Sequence, residues 1–421
     1  MFNQRFIQIT AASKAAIKRY ESYSPHIFGI FLAGFLFAPS AAPHNTFFYL
    51  FLLLPMLGFI GKEAYLLIRT NWLARLSFLF IFYMSLTSIW NPAFDAGDIS
   101  RSFKHGFFTI AFVSLSTWLL KNHQKALTQW FSLSPMIITF GAALSTIVWY
   151  QGHSFPDSRL FGWGRIDYPP YLSAIAAFGI IAAFSSFSAV KLVSKMSYIV
   201  CVPALGLFIL LTQSSLGAWA VCIAASAFLV VPRPQFIVLF GAGVATLILI
   251  NLLQPSLMQP ITENVGGSAR LEIWAHIIGL MQESWLIGHG LKADFNYLYF
   301  DLAQNVTVTF NRAHNVYLAS LYHGGVIGFL LNVMVSVSAL LVLFTKALQE
   351  KKAGLLALML LGAALIGGDW SHIIDHPDLP YMIYWLPLSI AIVCTPQACI
   401  GTKIRNMQKR MFSGRSSVKP T

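Results

Sequence analysis

Four short stretches carry the side chains that could do chemistry. "RAHN" brings Arg312, His314 and Asn315 together just before a long apolar run. "SAR" sets Arg270 at the start of a helical pattern. "DSRLFGWGRIDYPP", residues 157–170, holds Arg159 and Arg165. "GGDWSHIIDHPD", residues 367–378, supplies Asp369, His372, Asp375 and His376. Arginine suits a diphosphate because its planar fork donates two parallel hydrogen bonds and stays charged. Histidine accepts a proton near neutral pH. Together these types fit transfer of a group from a lipid diphosphate to a hydroxyl. Arg270 with Arg159 or Arg165 would hold the leaving diphosphate, and His314 would take the acceptor's proton. Asn315, Arg312 and Asp369 would support, with Asp369 orienting the imidazole or the acceptor. Other chemistries lack their residues. The chain has no Asp-x-Asp, HExxH or GxxxxGK[ST], so the expectation is a reaction without metal, nucleotide or other cofactor. "GHG" at 288–290 is too short to read as a phosphate loop.

The elements that must position these groups are membrane helices. Of 421 residues, 57% are hydrophobic and 10% charged, and the mean hydropathy is +0.66. A soluble chain carries about 25% charge. The reading is a single all-α polytopic membrane domain over residues 1–421 with about twelve spans. These fall near 26–42, 46–61, 72–90, 105–120, 132–150, 170–188, 196–212, 214–231, 235–252, 316–345, 353–369 and 381–398. With both termini inside, 21 of 28 Lys and Arg but only 3 of 15 acids fall on the cytoplasmic side. The overall charge of +13 is therefore a topology signal rather than a nucleic-acid footprint. Four cysteines, in or beside apolar runs, read as packing residues.

This topology puts all four chemical stretches on the external side. A large loop, 253–315, lies between the ninth and tenth spans. Within it "SARLEIWAHIIGLMQESWL" has helical period, with Leu271, Trp274, Ile278, Met281 and Trp285 at spacings of three and four. Such a helix either lies in the membrane interface or packs on its own protein; both keep Arg270 near the bilayer surface. A secondary carrier is the rival reading. It needs ionisable groups inside the spans, and Asp369 alone among the acids lies near a span interior, at its external end.

"SARLEIWAHIIGLMQESWLIGHGL" followed by "HNVYLASLYHGGVIGFLLN" resembles the shared core of the O-antigen ligase and O-antigen polymerase superfamily. The likeness rests on Arg270, Trp274, Gly288 and Gly290, then His314, Asn315, Gly324, Gly325 and Gly328. Upstream, Arg159, Gly162 and Pro169 look like the family's Arg-x-x-Gly…Pro segment. One feature departs: "TQSSLGAWA" has Leu216 where members often carry an arginine, so Arg159 or Arg165 would have to substitute. The resemblance implies a GT-C-like glycosyltransferase of the bacterial inner membrane with its active site facing the periplasm. It would use an undecaprenyl-diphosphate-linked glycan, with membrane lipids around it and no nucleic acid. Three acceptors are implied by different members: lipid A–core oligosaccharide for ligases, a second lipid-linked repeat for polymerases, and Ser or Thr for protein transferases. The single large late loop and the Arg…His-Asn pair favour a ligase, with an inverting, metal-independent displacement.

Overall fold

The computed structural model describes residues 2–396, apart from 92, 94, 166, 188–191, 294, 302–305, 371 and all of 231–267 except 241, 245 and 248. The expected span at 235–252 lies outside the described residues.

Helix α1 runs Phe2–Phe37, and six helices that follow are long and apolar enough to cross a bilayer. These are α2 (Ala41–Thr70), α3 (Trp72–Trp90), α4 (Ala96–Asn122), α5 (Gln124–Tyr150), α6 (Pro169–Ser186) and, after the large loop, α10 (Val316–Glu350). Between and after them come α7 (Leu192–Leu211) and the shorter apolar helices α8 (Ser215–Leu229), α11 (Gly354–Asp369) and α12 (Tyr381–Cys394). The large loop contributes α9 (Ser268–Leu280) and a pair of strands. The chain is thus a multi-pass, almost wholly helical membrane protein.

The bundle is knitted by α11, which packs against α8, α6 and α10, while α10 also lies along α3. Helix α6 is buried nearly all round, as its run of alanines through Ala174, Ala177 and Ala183 allows. Caps mark where helices begin. Asn71 accepts from the amide of Ala74 and donates to the carbonyl of Ile392 at 2.8 Å, tying α3 to the end of α12. Asn315 caps α10 by accepting from the amides of Tyr317 (2.9 Å) and Leu318 (3.2 Å). The chain reverses into helix at Tyr168-Pro169-Pro170, where proline suits the first helical positions.

Two features depart from the sequence reading. The large loop is not purely helical: β1 (Tyr297–Asp301) pairs antiparallel with β2 (Val306–Phe310). The β-branched and aromatic residues of "VTVTF" and "YLYFD" favour that pleat over helix. Helix α9 divides its apolar residues between two faces. Ile273, Ile277 and Met281 are buried against Phe295, Ala313 and Tyr322, whereas Leu271, Ile278 and Trp285 stay largely exposed. The helix packs on its own protein through the first face, as one of the two expectations had it.

Candidate active site

His314 sits immediately before the cap of α10 with φ +49°, in the left-handed region that few non-glycine residues occupy. Its neighbour Ala313 is buried, and the Ala313 carbonyl accepts from the indole of Trp274 at 3.0 Å. Trp274 lies one helical turn after Arg270, so this bond also fixes where Arg270 stands relative to His314. The imidazole Nδ1 lies 2.7 Å from Oδ1 of Asp369, the last residue of α11. The Asp369 side chain is only 1% exposed. An Arg270 nitrogen approaches the same oxygen at 3.5 Å. His314, Arg270 and Asp369 thus come together from three elements 44 and 55 residues apart along the chain, counted from His314. By holding Nδ1, Asp369 leaves Nε2 as the nitrogen on which acid–base work would fall.

The loop 151–168 closes one wall. It is stitched to the α7–α8 turn by the amide of Leu160 on the Leu211 carbonyl and by Nε of Arg159 on the Thr212 carbonyl, both at 3.0 Å. Burial lowers the pKa of Arg159, and the nearby Tyr168 and Asp369 act the other way. Tyr168 completes this corner: burial, together with the Asp369 charge, pushes its phenol up to about 12. Leu216 borders it as well, since a Cβ on Gly368 would stand 2.2 Å from Leu216 Cδ1.

Arg165 is placed differently. Its guanidinium is 3% exposed and donates to Asn45 Oδ1 (2.9 Å), the Ala41 carbonyl (3.2 Å), Asp378 Oδ1 (3.3 Å) and the Pro377 carbonyl. It also lies over the Phe35 ring. Arg165 ties the loop to α2 and to the 370–380 segment. Of the two arginines in this stretch, Arg159 is the one within reach of the Asp369 charge.

A cavity of about 420 Å³ opens at these residues, lined among others by Tyr168, Arg312, His314, Asp369, Asp375 and His376. Arg312 is exposed at its edge. Its far wall centres on Asp375. Oδ1 of Asp375 meets Nδ1 of His105, on α4, and Nδ1 of His376, each at 2.9 Å, and accepts the His376 amide at 2.8 Å. Lys292 reaches Oδ2 at 3.6 Å. Burial opposes ionisation of Asp375, but the two imidazoles and Lys292 hold its carboxyl well below the usual range. The bond to Asp375 in turn raises the pKa of His376. Desolvation pushes His372 down to about 4, so it is neutral at pH 7. The ligand atoms of His105, Asp375 and His376 lie within 4.8 Å of one another, close enough to share a metal ion. The same atoms already satisfy one another through hydrogen bonds.

The glycines of "GHG" and "HGG" belong to a different job. Helix α10 breaks at Gly325 (φ +62°, ψ −165°), and the segment 284–290 docks into the break. The amides of His289 and Gly290 donate to the carbonyls of Tyr322 and His323, and the amide of Val326 donates to the Trp285 carbonyl, at 2.8 to 2.9 Å. A Cβ on Gly325 would stand 2.2 Å from the Leu286 carbonyl oxygen, and one on Gly288 would stand 2.5 Å from the Gly325 nitrogen. Backbone lies against backbone here, and only glycine fits.

Sequence reasoning did not single out Tyr168, His105 or Lys292 as site residues. Tyr168 lay inside a quoted stretch but looked like the lead-in to a proline pair. His105 sits mid-helix with no neighbouring motif, and Lys292 follows a loop whose docking no local pattern shows.

Comparison with known proteins finds two similarities. Residues 199–333 match the family model described as O-antigen ligase. The chain is also 25% identical over 373 residues to the O-antigen ligase of Pseudomonas aeruginosa, an alignment covering 85% of this chain and 87% of that protein. The chain is thus similar to O-antigen ligases, over about a third of its length by the family model and over most of it by the relative. The superfamily match spans Leu216, Arg270 and His314, while Arg159 and Asp369 lie outside it.

Proposed function

We propose that this protein belongs to the O-antigen ligase superfamily and is a ligase of the bacterial inner membrane. It moves an O-antigen glycan from undecaprenyl diphosphate to a sugar hydroxyl of lipid A–core oligosaccharide, at the periplasmic face. The observation that carries the reading is His314 held through Nδ1 by a buried carboxylate that an arginine also approaches. The donor's diphosphate sits between Arg270 and Arg159, the latter standing in for the family arginine that Leu216 replaces. The acceptor hydroxyl meets the far nitrogen of His314. Its oxygen bonds to the anomeric carbon as the bond from that carbon to the phosphate oxygen breaks. The bonding pair leaves on the diphosphate, the proton passes to His314 Nε2, and the anomeric configuration inverts. Asp369 keeps the imidazole in the tautomer that can accept and stabilises the imidazolium that forms. The arginines supply the charge stabilisation at the leaving group, with no metal in the scheme.

A deletion strain tests the reading. Its lipopolysaccharide and its carrier-linked glycan are run side by side on a gel. Long polymer on the carrier with bare lipid A–core is the expected result. Lipid A–core bearing a single repeat and no ladder would make the protein a polymerase instead.

A further inference from the structure

Two carboxylate-held imidazoles face one cavity. His314 is held by Asp369 and His376 by Asp375, each through Nδ1, and both rings line the same 420 Å³ space. The proposed reaction accounts for the first and leaves the second without work. We propose that His376, positioned by Asp375 and backed by Lys292, binds the acceptor saccharide, and that this acceptor carries a phosphate or carboxylate beside its accepting hydroxyl. The inference rests on the ligase reading above and adds the chemistry of its second substrate.

The geometry assigns the wall to the acceptor. An inverting displacement needs the leaving group and the incoming hydroxyl on opposite faces of the anomeric carbon. Arg270 comes from α9 and Arg159 from the 151–168 loop, and both stand beside Asp369. His376 belongs to the 370–380 segment, which is anchored elsewhere, by His105 of α4 on Asp375 and by Arg165 on Asp378. It is therefore a separate support, free of the groups that would grip the diphosphate.

Charge selects the acceptor's class. The Asp375 carboxylate is occupied by two imidazoles and a backbone amide on one oxygen and approached by Lys292 at the other. It is an internal counter-ion rather than an acceptor for sugar hydroxyls. What the wall shows to the cavity is His376, whose side chain is 39% exposed and whose pKa that carboxylate raises, with Arg312 on the same lining. Asp375 accepts from Nδ1–H, so Nε2 is the nitrogen left for the cavity, and it donates when the ring is the imidazolium that the carboxylate favours. His372, also on the lining, is neutral and adds no charge. A donor wall of positive sign fits an anion.

The test uses full-length protein in lipid nanodiscs, a diphosphate-linked saccharide donor, and two acceptors that differ only in a phosphate beside the accepting hydroxyl. His376→Asn should raise KM for the phosphorylated acceptor about 10-fold or more, the cost of one charge-assisted hydrogen bond. It should shift KM for the neutral acceptor less than threefold and leave donor KM unchanged. His376→Lys should recover part of the loss for the phosphorylated acceptor alone. A rise in donor KM would move His376 to the diphosphate, and equal KM values for wild type and variant would remove it from both; either result overturns the proposal. Acceptor binding to His314→Ala protein, followed by calorimetry, separates this inference from the reading beneath it. If His314→Ala still turns over, the ligase mechanism fails, whereas weaker acceptor binding on adding His376→Asn still upholds the subsite.

Discussion

Asp369→Asn is the sharpest test of the proposed mechanism because it changes one charge and almost no volume. Asp369 Oδ1 stands 2.7 Å from His314 Nδ1, with its side chain 1% exposed. An amide there can donate to Nδ1, which moves the imidazole proton to Nε2, the nitrogen that must accept. The substitution then removes both the base and the counter-charge for the imidazolium. General-base catalysis is worth on the order of 10² to 10⁴ in rate, so kcat should fall about 10³-fold, roughly 4 kcal/mol of transition-state stabilisation. The same carboxylate pairs with Arg270 at 3.5 Å, but that arginine side chain is 41% exposed. An exposed pair contributes only about 0.5 kcal/mol, so donor KM should rise no more than about threefold. Steady-state transfer of a labelled lipid-diphosphate glycan to purified acceptor measures both constants. Because Asp369 acts through His314, His314→Ala/Asp369→Asn should be no slower than His314→Ala alone. An Asp369→Asn enzyme retaining a tenth of wild-type kcat, or a double variant whose losses multiply, would refute the assignment of Asp369 as the group that orients the base.

Three further outcomes follow from the same geometry. Arg270→Lys keeps the charge but loses the planar fork, and should raise donor KM and lower kcat, together about 10²-fold in kcat/KM, read in the same transfer assay. Arg159→Ala and Arg165→Ala should separate cleanly. The first should raise donor KM about 10-fold and cost only about 1 kcal/mol in thermal unfolding of the detergent-solubilised protein, for its one bond to the Thr212 carbonyl. The second should destabilise by about 3 kcal/mol, because it leaves Asp378 and two carbonyls without their buried partner. Gly325→Ala should abolish folded protein in the membrane, since a Cβ there meets the Leu286 carbonyl at 2.2 Å. Gel filtration showing a monodisperse Gly325→Ala protein would contradict the docked-loop geometry.

How far the sequence could be read depends on whether a feature is periodic or three-dimensional. Apolar runs announce the bundle because a span of about 20 residues leaves a continuous signature, and α3, α4, α5 and α6 begin or end within several residues of where hydropathy puts them. Arg270 and Trp274 could be paired from helical spacing alone, and His314-Asn315 from its position before an apolar run. The roles of the glycines were not legible in that way. "GHG" and "HGG" are 33 residues apart, measured between Gly290 and His323, and nothing local says that one backbone docks into a break in the other. Arg159 and Arg165 show the same limit more sharply. Six residues apart and alike in type, they differ only in what surrounds them: Arg165 is held by Asn45, Pro377 and Asp378, and Arg159 is within reach of the Asp369 charge. The strand pair in the large loop was missed because loop length and polarity outweighed the short alternation of "VTVTF".

If the proposed reading holds, helix α9 gives a reason for setting Arg270 on a helix rather than on a loop. One of its faces is fixed to the protein through Ile273, Ile277 and Met281, and Trp274 bonds to the carbonyl just before His314. The other face leaves Leu271, Ile278 and, just past the helix, Trp285 exposed at intervals of seven residues, an apolar stripe suited to the outer membrane interface. On the proposed reading, the outward stripe sets the depth of Arg270 at the level of the lipid phosphates, and the inward face sets its bearing toward His314. A loop could provide one of these constraints. A two-faced helix provides both, so replacing Leu271 and Ile278 by Glu should weaken transfer from the lipid-borne donor more than tenfold while a water-soluble, short-chain donor analogue reacts within twofold of wild type. Equal losses with the two donors would mean that the outward face has no part in meeting the membrane.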